Sequence, residues 1–310
     1  MTAVKKISQN QFPFKSICNI YTVRNLARML GEQEKELIKL TIVADNFYRP
    51  FQKKQRNKIR DIDNPIREIK HIQGKINKRL LIKYPLPKEI FGGRKKFSIK
   101  DCAVVHVNQP VIVKLDLADC YPNVSSQQIE LMFRKEFRYS KKVASLLAKL
   151  CSYQKHLPQG GRHSNSLLNI LVAPLCFELS QYCKKFDFKL SFWVDDIAIS
   201  GKDVEKYIPA FIYLINKHGF KINPSKIEVL RNNKPQEVVG CGVNKKISVP
   251  KAKRLKYKTE IWENILNEKK DGGIEGKIAH IDFLNRNQAK ELKRLNKKLE
   301  QFLVLGNKPR

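Results

Sequence analysis

Acidic residues and paired cysteines are both scarce in this chain. Of its 310 residues, 29 are Asp or Glu against 61 Lys or Arg, leaving a formal net charge of +32. A chain so poor in acid reads as a partner for phosphate-rich polyanions, nucleic acid first and an anionic membrane surface second. The cysteines are Cys18, Cys102, Cys120, Cys151, Cys176, Cys183 and Cys241, an odd number with no CxxC pair. That argues against a zinc site or a disulfide framework, and the cysteines read as small buried hydrophobes. No apolar run approaches the ~20 residues that would span a bilayer. Met1–Phe14 lacks the continuous apolar core of a signal peptide, so a cytoplasmic protein with no membrane partner is expected. Neither internal repeats nor low-complexity blocks occur. With 42% apolar residues the chain can pack a core, so it is not a disordered basic tail.

The charge is unevenly spread. Residues 1–100 carry net +16, residues 101–230 only +5, and residues 231–310 net +11. The basic flanks thus enclose a middle with a larger share of carboxylates, as suits a polyanion-binding enzyme that needs acids for metal. Apolar spacing predicts a helix over 22–45 and another opening at Pro65, with Ile66, Ile69, Ile72, Ile76 and Leu80 on one face. Between them, 47–65 reads as a strand pair joined by a charged turn at Lys53–Asn57. Strands are expected at 111–121 and 189–200, with helical material between them including 164–186. Val204–Lys217 reads as a helix. Short strands around Ile222, Val229 and Val238–Val243 precede a basic helical end striped with Leu292, Leu295 and Leu299. Alternation of this kind argues α+β or α/β.

The strongest chemical signal is Asp195–Asp196 inside an apolar run. An isolated Asp-Asp pair is more often a surface turn, but the flanks Phe192, Trp193, Ile197 and Ile199 fit a solvated turn poorly. Two adjacent carboxylates in such a setting repel each other and lose hydration, so something must neutralise them. A divalent cation with a preference for oxygen does so. A tight turn at Trp193–Asp196 would let one or both carboxylates reach a common metal, since neighbours in an unbroken strand face opposite ways. Asp116, ending the apolar run from Val111, would complete a three-carboxylate cluster from an adjacent strand. Such clusters hold two metal ions about 3.5–4 Å apart for phosphoryl chemistry.

The order Asp116-x-x-x-x-Tyr121, Leu157–Ser164 (LPQGGRHS), Trp193–Asp196 (WVDD) and Gly219–Lys226 (GFKINPSK) resembles the palm of a reverse transcriptase, and the likeness covers nearly the whole chain. Residues 58–76 resemble the fingers motif of bacterial members. Cys102–His106 (CAVVH) resembles the Asn-Ala-x-x-His signature of retron reverse transcriptases, and Val238–Gly240 with Val243–Asn244 their Val-Thr-Gly signature. Cys102 stands in place of Asn, Val239 in place of Thr, Trp193-Val194 in place of Tyr-Ala, and Asn165 in place of the usual Pro.

The resemblance implies an α+β right-hand fold: an N-terminal helical extension (1–46), fingers and palm (47–245) and a basic helical thumb (246–310). It implies RNA-directed DNA synthesis, with Asp116, Asp195 and Asp196 catalytic and, together with Leu117, holding two Mg²⁺ ions, Mn²⁺ being a possible substitute. Arg60 and Lys58 would clamp the triphosphate of a dNTP. Tyr121 would lie under the sugar and exclude a 2′-OH, Gln159 and Gly160 would sit against nucleotide and template, and Lys226 would serve the leaving pyrophosphate. His106 would help shape a retron-specific RNA contact, and Lys251, Lys253, Arg254, Lys256 and Lys258 would bind structured RNA. Asn169 reads as a helix-surface polar residue. A retron member would copy a cognate structured non-coding RNA into msDNA, priming from an RNA 2′-OH, in antiphage defence beside a separate effector protein. The alternatives are another bacterial defence or diversity-generating reverse transcriptase, and a non-catalytic RNA-binding protein with a palm fold. An extended phosphate interface should make RNA affinity fall steeply with salt, with a log–log slope of several units; a filter-binding titration yielding a shallow slope would count against it.

Overall fold

Four antiparallel strands, in the spatial order β4 (Lys189–Trp193), β5 (Asp196–Gly201), β3 (Val111–Asp116) and β6 (Glu228–Arg231), form the frame on which the rest of the chain packs. The structure, a computed structural model, describes residues 19–55, 58–266 and 273–306. Its elements run α1 (Val23–Leu30), α2 (Glu34–Val43), β1 (Tyr48–Gln55), β2 (Lys58–Pro65), α3 (Arg67–Arg79), α4 (Ile99–Val104), β3 (Val111–Asp116), α5 (Ser126–Glu136) and α6 (Lys141–Cys151). They continue with α7 (Ser164–Lys185), β4 (Lys189–Trp193), β5 (Asp196–Gly201), α8 (Ile208–Lys217), β6 (Glu228–Arg231), β7 (Glu237–Val238), β8 (Cys241–Gly242), α9 (Lys251–Leu266), α10 (Gly273–Leu284) and α11 (Arg286–Gly306). This is the expected α+β arrangement: a projecting β1–β2 hairpin, a sheet packed on helices, and a helical C-terminal part.

Several boundaries differ from the sequence expectation for local reasons. The helix expected over 22–45 is two helices, because the chain turns at Gly31 in the left-handed region (φ +63°), which ends α1. Lys53–Gln55 belong to β1 rather than to a turn, since pairing runs out to Gln55↔Lys58, and 56–57 lie outside the described residues. The strand expected over 111–121 stops at Asp116, and the one over 189–200 is a hairpin bent at Val194, whose φ is +61°. Ile222 makes only a single bridge to Leu117.

Alternation divides the sheet into two faces. Val113, Leu115, Ile197, Ile199, Leu190 and Phe192 enter the main core, which α1–α3 and α5–α8 share through residues such as Leu26, Leu37, Ile69, Phe133, Leu147, Leu168 and Phe211. The N-terminal helices therefore bury their apolar faces in the same core as the sheet. Phe133, Phe137, Phe192 and Phe211 are fully enclosed, and truncating any of them to Ala should cost about 3–5 kcal/mol. α7 is long and apolar enough by length and composition to cross a membrane, although polar residues such as Asn169, Glu178 and Ser180 interrupt its apolar run. Here, however, 61% of its apolar window is buried inside the protein, as befits a core helix. The six described cysteines are buried and free.

On the opposite face, Ile112 and Ala198 join Ala103, Val238, Cys241 and Val243 with Ile261, Ile278, Ile281 and Leu292 of the C-terminal helices. His106, just past α4, lies over this face with no exposed surface. Its Nδ1 is 2.7 Å from Ser200 Oγ on β5 and its Nε2 2.8 Å from Ser191 Oγ on β4. One ring nitrogen donates and the other accepts, so a neutral imidazole ties two strands to the α4 segment. The expectation of an RNA contact at His106 is thereby corrected, because an enclosed ring bonded at both nitrogens has nothing to offer a partner. Asn169 is likewise not on the surface: it is buried in α7, and its Nδ2 donates to Gly92 O at 2.8 Å.

Burial lowers the His106 pKa from 6.5 to about 3 and that of the equally enclosed His163 to about 4. The unfolded chain binds these protons first, so their linkage leaves stability untouched above pH 6.5 and erodes it as pH falls towards those lower values. In denaturant titrations, His106→Leu should lose stability at pH 7.5 by leaving Ser200 without a partner, at about 1–3 kcal/mol for the orphaned group, while Ser191 keeps only the Cys102 thiol at 3.4 Å. His106→Gln should lose less, and its gap from the unsubstituted protein should narrow towards pH 5; a gap independent of pH would refute the linkage.

Candidate active site

The register of β3 against β5 sets Asp116 directly opposite Asp196. The turn between β4 and β5 adds Asp195, whose carbonyl accepts the Leu117 N–H at 3.0 Å. β3 and the β4–β5 hairpin therefore bring three carboxylates, expected from separate stretches of sequence, to one end of the sheet. All three line a cleft of about 940 Å³ together with Leu117, Arg60, Tyr121, Gln159, Gly160 and Lys226. A second cleft, of about 840 Å³, opens towards the C-terminal helices and shares Trp193 and Asp196 with the first. Asp196 thus stands where a fingers-side and a thumb-side cleft meet.

Crowding and lost hydration dominate the electrostatics of these carboxylates. Loss of hydration, and then the neighbouring carboxylates, raise the pKa of Asp196 from 3.8 to about 6, although its side chain still reaches solvent. Asp195 is raised for the same first reason, with Asp116 adding to it and Lys226 and Arg60 opposing. Lys226 Nζ lies 2.5 Å from Asp116 Oδ2. Burial pulls the Lys226 pKa down, but its bond to Asp116 and the nearby carboxylates more than compensate, and the net direction is up. Among the described residues, no three His, Cys, Asp or Glu side chains already surround one point as a metal site. In donor chemistry the residues fit: three carboxylates are the hard oxygen ligands that Mg²⁺ or Mn²⁺ takes. The buried apolar side chain of Leu117 offers no ligand, leaving only its main-chain carbonyl.

The fingers hairpin reaches this cleft because β2 is tied to the Gln159–Gly160 loop. Asp63 N–H donates to Gln159 O, and Gln159 N–H donates to Asp63 Oδ2, both at 2.9 Å. His156 Nε2 lies 3.1 Å from the same carboxylate oxygen. Gly160 has φ +138°, and a Cβ there would lie 3.0 Å from Asp63 O, so the close approach requires glycine. Arg60 is exposed on β2 at the cleft wall, whereas the Lys58 side chain lies outside the described residues.

The expected basic RNA surface on α9 does not form a single face. Lys253 and Lys256, with Tyr257, line the thumb-side cleft. Lys251, Arg254 and Lys258 turn towards α11, where Lys258 Nζ pairs with Glu291 at 2.6 Å. Lys114 and Asp63 were not singled out in the sequence, and Asn165 only as a departure from the usual Pro. Lys114 sits on the Asp116 face of β3 and pairs with Glu228 at 2.8 Å beside Asp196; its i−2 spacing from Asp116 was the available signal. Asp63 anchors the fingers. Asn165 Oδ1 accepts from the Tyr121 hydroxyl at 2.5 Å. Nothing in sequence spacing pointed to the partners of the last two, because both bonds join segments more than 40 residues apart.

The chain is similar to known proteins. The family model for reverse transcriptase (RNA-dependent DNA polymerase) matches residues 51–257. The chain is 27% identical over 296 residues to the retron Se72 reverse transcriptase of Salmonella heidelberg, covering 88% of this chain and 78% of that protein. It is 24% identical over 281 residues to the retron Ec86 reverse transcriptase of Escherichia coli, covering 89% and 87%. Among solved structures, telomerase from Candida tropicalis with a fragment of telomeric RNA is similar at a TM-score of 0.49 and 12% identity, with 86% of this chain and 58% of that one covered.

Crowded carboxylates should cost the metal-free fold stability. In chelator at pH 7.5, Asp196→Asn should therefore melt higher than the unsubstituted protein. The gain should shrink as pH falls through about 6, where Asp196 is itself protonated. A lower melting temperature for the variant at pH 7.5 would contradict the electrostatic reading.

Proposed function

The chain belongs to the reverse transcriptase family as an RNA-directed DNA polymerase of the retron type, and from that membership we propose that it copies part of its own structured non-coding RNA into RNA-linked single-stranded DNA. The observation that carries the reading is the meeting of three carboxylates with two clefts at one end of the sheet. One cleft suits an incoming nucleotide and the other a primer–template duplex.

Asp116, Asp195 and Asp196 would hold two divalent cations, Mg²⁺ or Mn²⁺. When bound, these lower the barrier to in-line attack of a primer hydroxyl on the α-phosphate and stabilise the leaving pyrophosphate. Lys226, drawn to Asp116 in the metal-free site, would be released to meet the pyrophosphate. Arg60 would grip the triphosphate with its planar fork. Tyr121 would stand against the sugar and select a dNTP. Lys253 and Lys256 would track backbone phosphates, which suits an A-form RNA–DNA duplex whose deep groove side chains do not read. The first primer would be a 2′-OH of the RNA itself, giving a branched msDNA, and the product would serve antiphage defence in the cytoplasm with a separate effector protein. The retron relatives and the basic flanks support this reading.

Two measurements test it. The doubly substituted Asp195→Asn, Asp196→Asn protein should make no DNA yet still bind RNA; DNA synthesis by it would sink the metal mechanism. Nucleic acid purified with the unsubstituted protein should contain single-stranded DNA that stays covalently attached to RNA through denaturation. Unlinked nucleic acid alone would argue against 2′-OH priming.

A further inference from the structure

Tyr121 lines the fingers-side cleft with Asp195 and Arg60. A ring can bar a 2′-OH only while it stays put, since rotation about its side-chain bonds would move its outer end by several ångströms. The structure supplies two restraints. At the near end, Val124 N–H donates to Tyr121 O at 3.2 Å in the turn that follows β3. At the far end, the hydroxyl donates to Asn165 Oδ1 at 2.5 Å. Burial, then the Asp195 charge, push the phenol pKa upward, so the hydroxyl keeps its proton and remains a donor.

Asn165 is itself held. It is the second residue of α7, a 22-residue helix whose following turns are buried in the main core. Its Cβ packs on the loop before α4, where a Cβ added at Gly93 would fall 2.9 Å away. A proline here, usual in the family this chain resembles, would offer no side-chain acceptor. Resting on the proposed reading of Tyr121 as the sugar-side barrier, we infer that Asn165 is a specificity-determining positioning residue: its side-chain carbonyl locks the Tyr121 ring across the sugar side of the cleft and so sharpens selection of deoxynucleotides over ribonucleotides.

The test compares kcat/KM for dTTP and for UTP on oligo(dT)-primed poly(rA). Asn165→Ala and Asn165→Pro should lower the preference for dTTP by about three- to tenfold, the range one neutral hydrogen bond supplies. Asn165→Asp keeps an acceptor and should retain the preference. Tyr121→Phe keeps the ring but removes the donor. It should match Asn165→Ala, and combining the two should add nothing. This pattern is one that a merely structural role for Asn165 would not produce. Tyr121→Ala should abolish most of the preference. If it does so while Asn165→Ala and Tyr121→Phe leave the ratio unchanged, the lock is refuted and the barrier stands. If Tyr121→Ala itself leaves the ratio unchanged, the barrier reading fails and the lock falls with it.

Discussion

The antiparallel pairing of β3 with β5 is the constraint on which the site depends. Because side chains alternate along a strand, a slip of one residue would turn Asp116 or Asp196 into the core and bring Leu115 or Ile197 out. The register is held from both sides. Val113, Leu115, Ile197 and Ile199 are committed to the main core, while Ile112 and Ala198 are committed to the C-terminal helices. The Leu117 N–H bond to Asp195 O then extends the pairing by one step into the turn. Sheet packing on both faces thus supports three carboxylates that gain nothing from one another.

That support has an energetic consequence. Loss of hydration and the neighbouring carboxylates raise the pKa values of Asp195 and Asp196, so ionising them costs the fold some stability. Lys226 relieves part of this through Asp116. The hairpin around the site is tied on both faces. His106 bridges the two strands of the β4–β5 hairpin from one face, Phe192 fills the other, and Asn169 fastens the Gly92 loop beside the turn. The buried polar groups His106 and Asn169 thus serve the geometry of the hairpin and its neighbouring loop rather than offering ligands.

How far each feature could be read in advance followed from the range of the interaction behind it. The Asp pair was legible because acid in an apolar run is anomalous whatever the fold, and Asp116 because it ends a β-branched run in matching context. α3, with its apolar period, and α7, apolar nearly all round, were placed to within a few residues. The break at Gly31 and the bend at Val194 were not, since each depends on one residue's backbone conformation rather than on a pattern. His106 and Asn169 were misplaced for a different reason. A lone polar side chain looks the same in sequence whether it meets solvent or a buried partner, and their partners lie 77 to 94 residues away.

The sequence by itself determined the inventory: a basic, core-forming chain with three carboxylates in strand contexts, an aromatic five residues after the first, and positive charge concentrated in the flanks. These are properties of composition and short-range spacing, and they survive without a fold. Tertiary structure alone decided that Asp116 faces Asp196, that the basic residues of α9 divide between a cleft and a helix interface, that His106 is a tie within the sheet, and that Asn165 meets Tyr121. Each depends on strand register or helix rotation, where a shift of one residue changes which side chain reaches the site, and those are set only when the two cores pack against opposite faces of the sheet.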